Sequence, residues 1–268
     1  MSTEMCLLLD LGNSSIKLAL AGLDGLRPSF ELPTDIRETP DSLGLKVMAY
    51  LQQEQVNPGN IHAWLAASVV PRLNPVIKST AKKICSAKVY QVPGDLYPAI
   101  KNNYQNPSEL GADRLVSAFA ARRMYPDSGI IVVDFGTATT FDCIIKNEYC
   151  GGLISPGIFS SVQALNTLTA KLSWFSLEEA DESLEICRST VQGLTQGTVF
   201  GFAGMTDGLI SRLKKLMPGD TLVVATGGGA GVIAPVCSYL DEVQPSLLLQ
   251  GLLYTAIDNI ILNPRSRQ

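Results

Sequence analysis

The sequence predicts an α/β fold in which two related domains follow one another. Apolar strand-like runs alternate with amphipathic helical stretches, the pattern of sheets flanked by helices. An opening motif occurs twice, about one domain length apart. Residues 6–20 read Cys-Leu-Leu-Leu-Asp-Leu-Gly-Asn-Ser-Ser-Ile-Lys-Leu-Ala-Leu, and residues 130–145 read Ile-Ile-Val-Val-Asp-Phe-Gly-Thr-Ala-Thr-Thr-Phe-Asp-Cys-Ile-Ile. Each copy is an apolar strand, an Asp-x-Gly turn followed by Asn or Thr, and a second strand-like run. Either turn alone would be an ordinary Asp-Gly turn; two copies, each after an apolar strand, indicate duplication. The composition, 46% hydrophobic and 17% charged over 268 residues, suits packed globular domains.

The remaining elements follow in parallel. After the first motif the sequence predicts a short strand near 26–32, which allows a three-stranded meander. A helix near 42–55 has Leu43, Val47, Met48 and Leu51 at helical spacing. Next come a strand near 62–69 stopped by Pro71, a helix near 73–86 and a strand near 88–92. Gly111 to Tyr125 has helix-forming residues and ends at Pro126, which places the domain boundary near residue 127, between 1–126 and 127–268. The second half continues with a strand near 148–154, a helix near 158–170 and a helical region near 190–216. Strand Thr221 to Thr226 and a helix from about 229 follow. Leu247 to Leu262 is apolar but contains Gln250, Thr255, Asp258 and Asn259, so it is expected to be a buried helix rather than a membrane span.

Charge and composition exclude several function classes. A net charge of −4 and a pI near 5.1 argue against a nucleic-acid partner. The six cysteines are scattered, with no C-x-x-C pair, as suits a reducing compartment. The N-terminus has no basic leader, and no membrane span is expected, so the chain is read as cytoplasmic. His62 is the single histidine, which is expected to be structural; histidine-dependent triads and Cys/His zinc sites would have to use it or not form.

The glycine-rich turns suit phosphates. Asp-x-Gly at a strand end supplies a carboxylate and lets the backbone turn without a Cβ, and exposed amides in such turns receive phosphate oxygens. Asn13, Ser14, Ser15, Thr137, Thr139 and Thr140 add neutral donors. Asp10 can hold Mg²⁺ directly or through water, and Lys17 either neutralises phosphate charge or snorkels from its strand. A third element, Thr226-Gly-Gly-Gly-Ala-Gly231, allows a flat ligand close to the backbone, and a helix start beyond it would favour anions. Gly229-x-Gly231-x-x-Ala234 also matches a relaxed dinucleotide fingerprint, but Leu249 stands where an acidic ribose ligand would be expected. A Walker A sequence is absent.

The two D-x-G turns and the late Thr-Gly-Gly resemble the sugar kinase, actin and Hsp70 superfamily. Further motifs resemble type III pantothenate kinases: Asp10-Leu-Gly-Asn-Ser, Ser68-Val-Val-Pro71, Tyr104-Gln-Asn-Pro-Ser-Glu-Leu-Gly-Ala-Asp-Arg114, Asp134-Phe-Gly-Thr-Ala-Thr-Thr140, Gly151-Gly-Leu-Ile-Ser-Pro-Gly157, Ser189-Thr190 and Thr226-Gly-Gly228. The resemblance implies duplicated ribonuclease-H-like domains with mixed sheets flanked by helices, of the actin-like ATPase superfamily. It implies ATP-dependent phosphorylation of pantothenate, the first step of coenzyme A synthesis, by a homodimer whose pantothenate pocket is completed at the subunit interface. The family's ATP contacts map onto Asp10, Leu11, Gly12, Asn13, Ser14, Ser15, Ile16, Lys17 and Thr137; the late turn adds Gly227 and Gly228. Its pantothenate contacts map onto Tyr104, Gly111, Ala112, Asp113, Arg114 and Thr190. Asp113 maps onto the catalytic base and Asp134 onto the site of a monovalent cation, K⁺ or NH₄⁺. Two readings compete with the kinase: a nucleotide-binding regulator without turnover, and a sugar or acetate kinase of the same superfamily. Ser173 and Cys187 depart from common family residues.

Overall fold

The computed structural model describes residues 5–168, 175, 177, 183–259 and 261–262. Ser173 and the expected end of the 158–170 helix lie outside the described residues.

The first sheet begins with β1 (Met5–Leu11), which pairs antiparallel with β2 (Ser15–Gly22). The expected third strand is two pieces, β3 (Gly25–Leu26) and β4 (Phe30–Pro33), both on β2. Pro28, which has no N–H for the ladder, lies between them, and its carbonyl accepts a 2.8 Å hydrogen bond from the Tyr50 hydroxyl. Helix α1 (Pro40–Gln53) starts at Thr39, whose side chain accepts from the Ser42 amide, with proline at the first helical position. Its core face is Leu43, Val47, Tyr50 and Leu51; Met48, expected on that face, is 42% exposed. Strand β5 (Ile61–Ser68), helix α2 (Asn74–Ile84) and strand β6 (Lys88–Gln91) complete this part, in the sheet order β3-β2-β1-β5-β6 with β4 beside β2. Strands β1, β5 and β6 run parallel.

Covering both faces of this sheet explains the unbroken apolar runs. Leu7, Leu9 and Leu11 pack on one side with Val47, Leu51 and Ile77, while Cys6 and Leu8 pack on the other with Val116, Leu249 and Leu252.

After β7 (Lys101–Asn102) and helix α3 (Ala112–Met124), the second sheet repeats the plan. Strand β8 (Gly129–Phe135) pairs antiparallel with β9 (Ala138–Ile145), and β9 with β10 (Glu148–Pro156). Helices α4 (Ile158–Leu168) and α5 (Thr190–Lys214) precede β11 (Thr221–Thr226), which lies parallel to β8. The helix expected from about 229 is α6 (Ala230–Ile233), a single turn followed by a 3₁₀ turn containing Pro235. Strand β12 (Glu242–Val243) ends the sheet, ordered β12-β11-β8-β9-β10-β7. The last helix, α7 (Leu247–Asp258), is buried along most of its length, as its composition predicts.

One compact unit holds the chain up to Ile100, Asn106–Ala120 and α7; the other holds Lys101–Gln105 and Ala121–Ser246. These units differ from the sequence halves 1–126 and 127–268 in three segments: α7 lies in the first unit, and Lys101–Gln105 and Ala121–Pro126 lie in the second. The apolar face of α7 supplies the reason, since Leu249, Leu252, Leu253 and Ala256 bury against the first sheet. At Gly251 the backbone of α7 meets α3 so closely that a Cβ would stand 2.4 Å from the Val116 carbonyl oxygen. No helix among the described residues is long and apolar enough to cross a membrane. His62 is exposed at the start of β5.

Candidate active site

In each unit the Asp-x-Gly turn and the residues packed on it lie at the carboxyl ends of the parallel strands, where open α/β sheets bind ligands; Tyr104 and Thr190 lie on other segments. In the first unit, Asp10 ends β1 in register with Lys17 of β2 and Ala67 of β5. The turn between β1 and β2 closes with the Gly12 amide donating to the Ser15 carbonyl at 3.0 Å, leaving Asn13 and Ser14 exposed at its tip. Thr34 braces this turn twice: its hydroxyl donates to the Gly12 carbonyl at 2.7 Å and its amide to the Ser14 carbonyl at 3.0 Å. A Cβ on Gly12 would lie 3.1 Å from the Ser15 oxygen. Thr34 follows a proline in a loop and carries no sequence signal that sets it apart.

The Ser68–Pro71 motif leaves β5 beside this turn, and the Val69 amide donates to the Leu11 carbonyl at 3.1 Å. Val69 also meets the position a Cβ would take on Gly111, 3.8 Å away. The structure therefore brings the Asp10 turn and the start of α3 to the same strand end. Here Gly111, Ala112 and Asp113 are half-buried and Arg114 is 8% exposed.

Gly111 leaves room for Asp113: a Cβ there would stand 2.3 Å from the Asp113 Oδ1 and would require that side chain to shift. That oxygen accepts from the Arg114 amide at 2.8 Å. Burial raises the Asp113 pKa above the usual aspartate value, and the Arg114 amide and charge partly oppose the rise. A carboxylate with a raised pKa, one of whose oxygens accepts a hydrogen bond from a backbone amide, is suited to accept a proton from an alcohol.

The second unit repeats the turn. Asp134 ends β8 in register with Thr140 of β9 and Thr226 of β11. The Gly136 amide donates to the Ala138 carbonyl at 3.1 Å, and Thr137 is exposed at the tip. The late glycines fold onto this carboxylate. Gly227 has φ +87°, and a Cβ there would stand 2.2 Å from the Asp134 Oδ1. The Gly229 amide donates to the Phe135 carbonyl at 3.0 Å, the counterpart of the Val69 bond to Leu11. Gly157 packs as tightly, since a Cβ would lie 2.3 Å from the Thr137 oxygen and 2.5 Å from the Gly136 oxygen. The Ser160 hydroxyl donates to the Thr137 carbonyl at 2.7 Å. Thr137, Asp134, Gly227 and Gly228 thus form one cluster, supported by Gly157 and by Ser160, which the sequence reading gave no role.

Thr190 is exposed as the first residue of α5, after the capping Ser189. Tyr104 lies on the segment following β7, with its ring 6.0 Å from that of Tyr149.

Among the described residues no three His, Cys, Asp or Glu side chains gather as a metal cage. A cation at Asp10 or at Asp134 would rely on one carboxylate, neutral oxygens and water, a set that fits Mg²⁺ or a monovalent ion. The close backbone packing at Gly12, Gly157 and Gly227 leaves the turns without side-chain bulk, which fits a phosphate ligand. A separate cavity of about 360 Å³, lined by Ser128, Lys214, Asp220, Thr221 and Asp241, opens at the opposite ends of β8 and β11 and includes none of these residues.

Comparison with known proteins gives the family of the chain. Residues 6–212 match a family model described as type III pantothenate kinase. A type III pantothenate kinase of Nitratidesulfovibrio vulgaris is 47% identical over 93% of the chain and 96% of the relative. One from Oleidesulfovibrio alaskensis is 44% identical over 92% and 94%. Among solved structures, component A of (R)-2-hydroxyglutaryl-CoA dehydratase from Acidaminococcus fermentans aligns with a TM-score of 0.53 at 13% identity, covering 94% of this chain and 96% of that one. That likeness is one of fold, an α/β fold whose two sheets share one plan.

Proposed function

Because this chain belongs to the type III pantothenate kinase family, we propose a division of labour among its residues in the reaction it catalyses. That reaction is the ATP-dependent phosphorylation of pantothenate to 4'-phosphopantothenate, in coenzyme A biosynthesis. The primary alcohol oxygen of pantothenate attacks the γ-phosphorus of ATP, the bond from that phosphorus to the β,γ-bridging oxygen breaks, and ADP leaves. Asp113 takes the alcohol proton. The observation that carries this role is the half-buried Asp113 carboxylate, with its raised pKa and its Gly111 neighbour stripped of a side chain.

The two turns divide the remaining work. Asp10 to Lys17 and Thr137 bind ATP, with Gly227 and Gly228 giving the nucleotide room against the backbone. Arg114 offers a planar fork to the pantothenate carboxylate, and Tyr104, Gly111, Ala112 and Thr190 complete the pantothenate contacts. Asp10 would hold Mg²⁺ and Asp134 a monovalent cation, K⁺ or NH₄⁺; bound with ATP, such ions neutralise charge developing on the phosphates. The enzyme acts in the cytoplasm as a homodimer.

A coupled assay of ADP release tests this reading. Release is expected only with pantothenate and Mg²⁺ present, and it should rise when Na⁺ is replaced by K⁺ or NH₄⁺. Tight ATP binding without pantothenate-stimulated release would refute it.

A further inference from the structure

We propose that Asp142 and Tyr149, two buried residues with no part in the chemistry above, are positioning residues for pantothenate that act through Tyr104. The proposal rests on the reading that Tyr104 touches pantothenate.

Asp142 is 1% exposed on β9, between Phe141 and Cys143. A carboxylate buried there is costly unless hydrogen-bonded. Its Oδ1 accepts from the Tyr149 hydroxyl at 2.6 Å and its Oδ2 from the Thr140 hydroxyl at 3.1 Å. A buried polar network whose members are hydrogen-bonded to one another supplies a fixed geometry. Tyr149, itself fully buried, is held at its far end by this carboxylate.

The near end of Tyr149 faces the segment that carries Tyr104. The register of β10 on β9 shifts between Tyr149 and Gly151, a bulge of the kind that re-aims side chains, and Gly151 has φ +114°. The Asn103 amide donates to the Tyr149 carbonyl at 3.0 Å. Next to it, Glu148 accepts from Lys101 at 2.9 Å and from the Asn103 side chain at 2.6 Å. The Tyr104 amide then donates to the Asn102 Oδ1 at 2.9 Å, and its ring leans on the Tyr149 ring with 54° between planes. A strand of two residues has little pairing of its own; this bulge, the Asn102 side chain and the Tyr149 ring contribute to the direction of Tyr104.

The test is steady-state kinetics on Tyr149→Phe, Tyr104→Ala and the double variant, with pantothenate and ATP each varied in turn. Tyr149→Phe keeps the ring and loses the bond to Asp142. It should raise the pantothenate KM about fivefold while kcat and the ATP KM stay within about twofold, the signature of lost substrate positioning. In the Tyr104→Ala background it should add nothing further. Asp142→Asn keeps an acceptor for the hydroxyl and should move the same KM in the same direction by less; it also serves if Tyr149→Phe does not fold. An unchanged pantothenate KM in Tyr149→Phe and Asp142→Asn, with a raised one in Tyr104→Ala, would overturn the proposal and leave the reading of Tyr104 standing. Equal rises in both KM values, or a full effect persisting without Tyr104, would show general support of the fold and overturn it as well. If Tyr104→Ala leaves the pantothenate KM unchanged, the reading of Tyr104 fails first and the proposal with it.

Discussion

At the scale of single residues, the chemistry concentrates in Asp113. Its pKa lies above the usual aspartate range because burial disfavours the charged form. The folded protein therefore holds this proton to a higher pH than the unfolded chain does. Stability falls as pH rises from the free value through the folded one, and the ionised side chain remains a cost at neutral pH. Asp113→Asn removes that cost along with the base. It should lower kcat by roughly 10²–10⁴ without lowering the thermal midpoint, and calorimetry beside kinetics would check both. The acid limb of the kcat/KM profile should lie above the pKa of a free aspartate. Arg114, Tyr104 and Thr190 were legible as candidates only through motifs, since an arginine near a helix start or a tyrosine in a loop has many ordinary uses. Thr34 and Ser160 were not legible, because their hydroxyls brace turns far away in sequence.

At the scale of elements, the sequence announces strands better than it announces the ends of helices. Strand Thr221 to Thr226 is found with the bounds expected for it, because β-branched and apolar residues leave little choice. The helix expected from about 229 is found, and it is one turn long because Pro235 cannot donate to its ladder. The third strand divides at Pro28 for the same reason. The glycines of the second turn make a sharper prediction. Gly227 combines a positive φ with close contact to Asp134 and Phe135, so Gly227→Ala should destabilise the protein by about 1–3 kcal/mol and raise the ATP KM. Chemical denaturation and ATP titration would measure the two effects. Gly251→Ala would push α7 against the Val116 carbonyl and should cost about 1–3 kcal/mol. Denaturant unfolding that matches the parent would contradict the close helix contact.

At the scale of the whole molecule, duplication was the most legible feature, and the paired sheets bear it out. Strands β1, β2 and β5 correspond to β8, β9 and β11 in order and direction. Even the bond from Val69 to Leu11 has its partner in the bond from Gly229 to Phe135. What the repeat could not announce is the return of α7 to the first unit, because an apolar helix carries no label for the sheet it will cover. The central claim is that Asp113 takes the proton as ATP phosphorylates pantothenate. Its most direct test is product analysis by mass spectrometry after incubating the parent enzyme and Asp113→Asn with ATP and pantothenate. The account predicts one phosphopantothenate per ADP from the parent and a rate at least about a hundredfold lower from the variant. Equal product from both would contradict it.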